Sequence, residues 1–222
     1  MVSLLSAALV ATGGHAAGRT PVPLDLANWR IEAEDPAAHV ARRGDLIDID
    51  TAKGLTLWLD RPLAAPLTIR FQARAVSAGG VNDTVSDLNA FWMATEADGA
   101  SPLAHPRTGR FEDYDTLLTY YVGIGGNRNS TTRMRRYVGR PGDRPLLPEH
   151  DRTDAAAMLV PNRWTTITLS AREGRATVER DDKPLFALTD KAPYRRGWFG
   201  VRTTWSHIQI RHVTIEAPPR SP

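Results

Sequence analysis

Cysteine is absent from all 222 residues, which excludes disulfides, thiolate metal sites and cysteine nucleophiles but does not identify a compartment. Histidine is sparse, six in all. His207 and His212 stand five apart, on opposite faces of a strand, so no metal triad arises from spacing. No cofactor is expected, and a structural Ca²⁺ is left open. No apolar run is long enough to span a bilayer: Val2–Val10 covers about ten residues where about twenty are needed. Helix-turn-helix, zinc-finger and RNP-type patterns are all missing, which argues against a nucleic-acid partner. Helical periodicity is scarce as well. Only Ala155–Leu159 suggests a turn of helix, before Pro161.

What is present fits one globular domain. Hydrophobic residues make up 41% and charged residues 24%, ordinary values for a chain that buries a full core. The short apolar run at the N-terminus leads into small residues, and His15-Ala16-Ala17 offers a small-x-small cleavage site. Residues 1–20 therefore read as the remnant of a signal peptide. Residues 21–222 read as a single exported domain, periplasmic or extracellular. The net charge is +3, but between Arg128 and Arg144 six arginines face one acid, Asp143. That local excess favours an anionic partner.

Most periodic segments alternate with period two. Trp29–Ala33 reads as a strand. Leu46–Asp50 and Leu55–Leu59 read as a hairpin across Thr51-Ala52-Lys53-Gly54. Leu67–Val76 and Leu88–Thr95 follow, then a long polar loop from Glu96 to Asp115. Leu117–Ile124 and Thr131–Val138 flank a Gly125-Gly126-Asn127-Arg128-Asn129 turn. Thr165–Ala171 and Ala176–Arg180 pair across Glu173-Gly174, a hairpin signal. Trp198–Thr204 and Ile208–Ile215 close the chain. Roughly ten to twelve short strands punctuated by Gly, Pro and Asn predict an all-β sandwich of two antiparallel sheets, each with one wetted face.

The segment Phe111–Val138 holds the candidate chemistry. Strand alternation puts Arg133, Arg135 and Tyr137 on one face, with Met134 and Val138 toward the core. Tyr121 points the same way from the neighbouring strand. Asn127, Arg128 and Asn129 rim the groove so formed, and His105 sits in a loop able to reach it. Gly123 marks a bulge or the close approach of a ligand. The GxGG element is no phosphate loop, since neither a helix nor a following Lys-Ser/Thr appears. Arginine and asparagine at a groove suit the carboxylate of a uronate, whose β-elimination builds up a dianion. Tyr121 or His105 is placed to move the proton. Hydrolysis would instead need two carboxyl groups about 5–10 Å apart. Glu112, Asp113 and Asp115 are the acids available, but the E-x-D-x-x-E strand pattern of jelly-roll glucanases is not found.

Phe91-Trp92-Met93-Ala94-Thr95, Arg110–Asp115 and Tyr120–Arg133 together resemble a secreted bacterial family, domain of unknown function 6250. That family is similar to the YesU-type proteins of the concanavalin A-like lectin/glucanase class. Gly197–Arg202 and Ile208–Ile215 resemble the last two strands of the class. The resemblance covers about residues 25–217 and implies a concanavalin A-like jelly-roll fold. It also implies work on polysaccharides, with uronate-rich glycans as the ligands. The strand Tyr120–Asn127 distantly resembles that of jelly-roll alginate lyases. It lacks their lysine at the third place and has Gly126-Asn127 where they have Tyr-Asn. The expectation is a polysaccharide lyase in which Arg133, Arg135 and Asn127 hold the acid and Tyr121 or His105 transfers the proton. The alternatives are a non-catalytic carbohydrate-binding module with Tyr121, Tyr137 and Trp92 as platforms, a glycoside hydrolase, and a structural partner of a larger complex.

Overall fold

A computed structural model describes residues 18–217 of the chain. The leader expected over residues 1–20 lies mostly outside them, although Arg19 and Thr20 already belong to the fold. In chain order the strands are β1 (Arg19–Pro21), β2 (Trp29–Ala33), β3 (His39–Arg43), β4 (Leu46–Thr51), β5 (Leu55–Leu59), β6 (Leu63–Ala64), β7 (Leu67–Ala75) and β8 (Leu88–Thr95). They continue with β9 (Leu118–Gly125), β10 (Thr131–Val138), β11 (Asp151–Arg152), β12 (Thr165–Arg172), β13 (Arg175–Arg180), β14 (Lys183–Thr189), β15 (Arg196–Thr203) and β16 (Ser206–Glu216).

These form two antiparallel sheets, a concanavalin A-like sandwich. The first runs β14-β13-β12-β7-β16-β4-β3, with β1 on β16; the second runs β11-β10-β9-β8-β15-β5-β2, with β6 on β15. Between them lies one apolar core. Ile47, Ile69 and Phe71 enter it from the first sheet, and Leu57, Trp92, Val122 and Phe199 from the second. In the first sheet β7 and β12 alternate strictly between buried and half-buried residues, the signature of a sheet with one wet face.

Three expectations are corrected. The segments of β4 and β5 are both strands, but they do not pair: β4 bonds β3 and β16, whereas β5 bonds β2 and β15. The turn between them crosses from one sheet to the other, with the Thr51 hydroxyl donating to the Lys53 carbonyl at 3.0 Å. Alternation decides which face is buried, not which strand lies alongside. Second, β3 and β14 escape sequence reading because they are largely exposed edge strands of the first sheet without clear apolar–polar alternation. Third, the second sheet is not wet across its outer face. Every residue of β8 is buried, and seven of the eight in β9. A second apolar cluster of Trp58, Phe91, Tyr121, Tyr137 and Trp198 covers that face beneath Tyr114 and Leu117 of the β8–β9 loop. The helical turn at Ala155–Leu159 is a single 3-10 turn over Ala155–Ala157. Among the described residues, no helix is long and apolar enough to cross a membrane.

His207 of β16 clamps the loop that follows β7 to the first sheet. Its Nε2 lies 2.9 Å from Asp48 Oδ1 and its Nδ1 lies 3.0 Å from Asp83 Oδ1. Both ring nitrogens face carboxylate oxygens, so the pair of bonds needs the imidazolium. Burial opposes that charge, but the bonds to Asp48 and Asp83 and the charges of Asp48 and Asp50 outweigh it and raise the His207 pKa. Burial likewise opposes ionisation of Asp48 and Asp83, yet their hydrogen bonds hold both pKa values below the ordinary carboxylate range. Arg43 and Gln209 also face Asp48, at 3.0 Å and 2.6 Å.

The His207 contribution is therefore complete below about pH 6.5 and fades as pH rises through its raised pKa; the two aspartates contribute above about pH 4 and fade below it. His207→Gln should lower stability by about 1–3 kcal/mol near pH 5–6. The gap to wild type, followed by thermal melts across pH, should narrow above neutrality; a constant gap would rule out the charged clamp.

Candidate functional site

A buried carboxylate anchors the β8–β9 loop. Glu32 of β2 is 7% exposed. It accepts from Trp58 Nε1 at 2.9 Å, from the Tyr114 hydroxyl at 2.9 Å and from the Arg107 backbone N–H at 3.0 Å. Trp58 belongs to the sheet, and Arg107 and Tyr114 to the loop. Arg107 closes the loop on itself, donating from Nη1 to the Pro102 carbonyl at 2.6 Å and from Nε to that of Asp113 at 2.9 Å. Gly109 sits at φ +90°, and a Cβ there would lie 2.5 Å from the Glu34 backbone nitrogen. Only glycine lets the loop press this closely on the end of β2.

The loop covers part of the outer face of the second sheet and stops at Phe111. Beyond it the face opens as a cleft of about 480 Å³, within the range of small-ligand sites. Tyr121 and Gly123 of β9, Asn89 of β8 and Arg202 of β15 line it, with Arg133 and Arg135 of β10 along one side. Asp87, Glu34 and Glu112 bring carboxylates, and Asn127, Arg128 and Trp205 also line it. β9 and β10 pair with Arg133 opposite Gly123 and Arg135 opposite Tyr121, which gathers these side chains on one face.

Arg202 is 2% exposed. Its Nη1 donates to Thr56 Oγ1 at 3.1 Å and to the Gly109 carbonyl at 2.8 Å. The guanidinium lies 5.1 Å from each of the Phe111 and Tyr114 ring centres. Among the described residues no carboxylate oxygen comes within 4.0 Å of it. A buried cation without a direct ion-pair partner is costly. Arg135 also has no carboxylate partner among the described residues; its Nη1 donates to the Arg144 carbonyl. Arg133 is different. It has an acid after all, Asp151 on β11, at 2.8 Å and 3.1 Å. That partner lies outside the β9–β10 hairpin, where sequence inspection looked.

The remaining candidates divide. Asn127 and Arg128 stand in a left-handed turn with φ 52° and 59°, a conformation costing about 1–2 kcal/mol for a residue such as arginine. It holds the Arg128 guanidinium 4.7 Å from the ring of Trp205, itself at φ 47° and 42% exposed. Asn129 turns away and bonds the backbone of Leu159 in both directions, at 2.8 Å and 3.0 Å. Trp92 is no platform: it lies in the central core, with Nε1 on the Ser170 carbonyl at 3.1 Å. Tyr137 shares the face of Arg133 and Arg135 but is fully buried beneath Phe111, its hydroxyl unpaired. His105 is exposed on the loop and does not line the cleft, because Arg107 ties that segment back on itself. Of the three acids weighed for hydrolysis, Asp113 caps Thr108 at 2.9 Å and Asp115 is buried against Arg144 at 3.2 Å. Only Glu112 reaches the cleft.

Burial pushes the Tyr121 hydroxyl well above the ordinary tyrosine pKa; nearby Tyr137 and Asp87 add to the rise, against Arg202 and Arg135. Burial also raises Asp87, although hydrogen bonds from Ser86 and Asn89 and the charge of Arg202 pull the other way. Sequence reading missed Arg202, Asn89, Asp87, Glu34 and Trp205. The available signal was Arg202 itself, a charge directly after the apolar run Trp198–Val201 and still within the buried strand. Among the described residues, no three His, Asp or Glu side chains gather as a metal site.

A family profile described as Domain of unknown function (DUF6250) matches residues 49–213. No curated protein matches the sequence. Solved structures are similar in fold. A Bacillus subtilis protein of unknown function with a galectin-like fold superposes with TM-score 0.66 at 14% identity, covering 91% of this chain and 96% of its own. The carbohydrate-binding module CBM66 from Bacillus subtilis gives 0.58 at 10% identity, over 86% and 96%. The exoplasmic/lumenal domain of VIP36, in a form with Ca²⁺ and Man3GlcNAc bound, gives 0.56 at 12% identity, over 90% and 88%.

The anchoring role of Glu32 is directly testable. Glu32→Ala strands three buried donors and should cost at least about 3 kcal/mol. Limited proteolysis should then cut within residues 96–117 before the sandwich unfolds. An unchanged melting curve with an intact loop would remove Glu32 from this role.

Proposed function

This chain belongs to the DUF6250 family, and we propose that it is an exported carbohydrate-binding protein whose cleft takes an acidic, uronate-containing sugar. The observation that carries this reading is the buried Arg202 guanidinium, which borders the cleft without a carboxylate partner among the described residues. Arg135 supplies a second cation of the same kind. Guanidinium keeps its charge at any working pH and binds carboxylate through paired N–H donors. Trp205 adds an exposed indole for a sugar ring to stack against. The sugar-binding folds of CBM66 and VIP36 support the carbohydrate part of the reading.

A lyase is the second reading, favoured by the Tyr121 side chain on the cleft lining. In that reaction the C5 proton leaves, the C4–O bond breaks, the electron pair becomes the C4–C5 double bond and the leaving oxygen takes up a proton. With its pKa raised by burial, Tyr121 suits the last of these transfers and not the first.

Calorimetric titration should find uronate oligosaccharides binding more tightly than neutral ones of equal length. Arg135→Ala should weaken the acidic ligand by about 1.5–3 kcal/mol with little change in melting temperature. Equal affinity for acidic and neutral oligosaccharides would end the acidic part of the proposal. The same ligands followed by near-ultraviolet absorbance test the second reading. Growth of the double-bond signal, lost in Tyr121→Phe while binding persists, would make the protein a lyase. A flat trace across alginate, pectate and glucuronan leaves it a binding module.

A further inference from the structure

The outer face of the first sheet carries two arginines that the fold holds in place but does not neutralise. From β7 that face presents Gln72 and Arg74, and from β16 Gln209 and Arg211, all half-buried. The register sets Gln209 opposite Arg74 and Arg211 opposite Gln72. Each arginine donates from Nε to the glutamine across from it: Arg74 to Gln209 Oε1 at 2.8 Å, and Arg211 to Gln72 Oε1 at 2.9 Å. Both guanidinium groups then meet one indole, that of half-buried Trp164 just before β12, with their carbons 4.8 Å and 4.0 Å from the ring centre. Among the described residues no Nη atom of either arginine makes a hydrogen bond, and no carboxylate oxygen comes within 4.0 Å of either.

Other arginines of the same face show what a structural pair looks like here. Arg70 meets Asp182 at 2.6 Å and Arg172 meets Glu216 at 3.1 Å. Arg74 and Arg211 instead face neutral amides, at positions where a glutamate of the same length would neutralise them. The acid that this network reaches, Asp48, lies one side chain farther on. It accepts from Gln209 Nε2 at 2.6 Å and is already met by Arg43 and His207. Two like charges gathered on one ring repel each other, and the indole stabilises them without cancelling them. An oxyanion supplies what is missing, because its oxygens accept from several charged N–H donors at once. We propose that Arg74, Arg211 and Trp164 form a second anion-binding site, on the sheet that does not carry the cleft, and that it takes a carboxylate or sulfate group. The inference is independent of the acidic-sugar reading of the cleft. A free inorganic anion and an acid group on a glycan present the same oxygens, and titration tells them apart.

The test is an NMR titration of the whole chain that follows the Trp164 indole N–H and the Nε–H signals of Arg74 and Arg211. Sodium sulfate and a galacturonate trimer are each exchanged for sodium chloride at constant ionic strength, so that general screening does not change. These signals should shift saturably with sulfate or with the trimer, and should not shift with chloride. Tighter binding of the trimer would identify a glycan as the source of the anion, and tighter binding of sulfate a free inorganic anion. Gln72→Glu sets a carboxylate against Arg211. It should weaken the anion about ten- to a hundredfold, the loss expected when a charged hydrogen bond is taken over, and should melt no lower than wild type. Arg211→Gln, with its fold verified by circular dichroism, should weaken the anion by a similar factor. Arg135→Ala, in the cleft, should leave these shifts unchanged. Shifts that never saturate, that appear equally with chloride, or that keep wild-type affinity in Gln72→Glu would overturn the site and leave the reading of the cleft standing.

Discussion

The molecule turns on a single buried carboxylate. Glu32 takes three donors into a site closed to water, one from the sheet and two from the loop between β8 and β9. A charge in that position is tolerated only because every approach to it is hydrogen-bonded. Loop and sheet therefore hold together as one body. Trp58 and Tyr114 share the same oxygen, so the aromatic cluster on the outer face is organised around an ionic centre and not by apolar contact alone.

The placement of that loop decides where ligand can go. It buries the half of the face that carries Tyr137 and Trp198 and leaves bare the half that carries Gly123, Asn89 and Arg135. Arg202 stands at the border, tied to the loop through the Gly109 carbonyl and to the sheet through Thr56. Its charge is spread over two aromatic faces and two neutral acceptors. These stabilise a cation without neutralising it. The cleft is thus electrostatically incomplete in a defined direction.

Much of the architecture was legible in the residues. Leu67–Ala75 and Thr165–Arg172 announce themselves because one face of each is wet and the other dry. The β4–β5 misreading has the same root: both strands alternate toward one core, and nothing in alternation says that they belong to opposite sheets. The cleft was half legible. Tyr121, Arg133 and Arg135 lie within one hairpin, so local periodicity gathers them. Asn89, Arg202 and Trp205 reach them only through the order β9-β8-β15, which brings together segments more than a hundred residues apart in some cases. Trp92 was misassigned because β8 is buried on both faces; where no side is wet, an aromatic residue gives no sign of which layer it fills. Tyr137 was misassigned because the β8–β9 loop covers its end of β10, which local periodicity does not reveal.

The edge strands of the first sheet have a consequence for how copies of this protein meet. An open sheet edge is a template on which another chain can add a strand. Here one edge, β3, carries His39, Arg42 and Arg43, and the other, β14, opens with Lys183 and Pro184 at a register shift against β13. Like charges facing one another and a missing backbone donor both oppose edge-to-edge growth. In the second sheet β11 ends after two residues. The first sheet is therefore guarded against zipping into fibres at the strands that sequence patterning makes hardest to see.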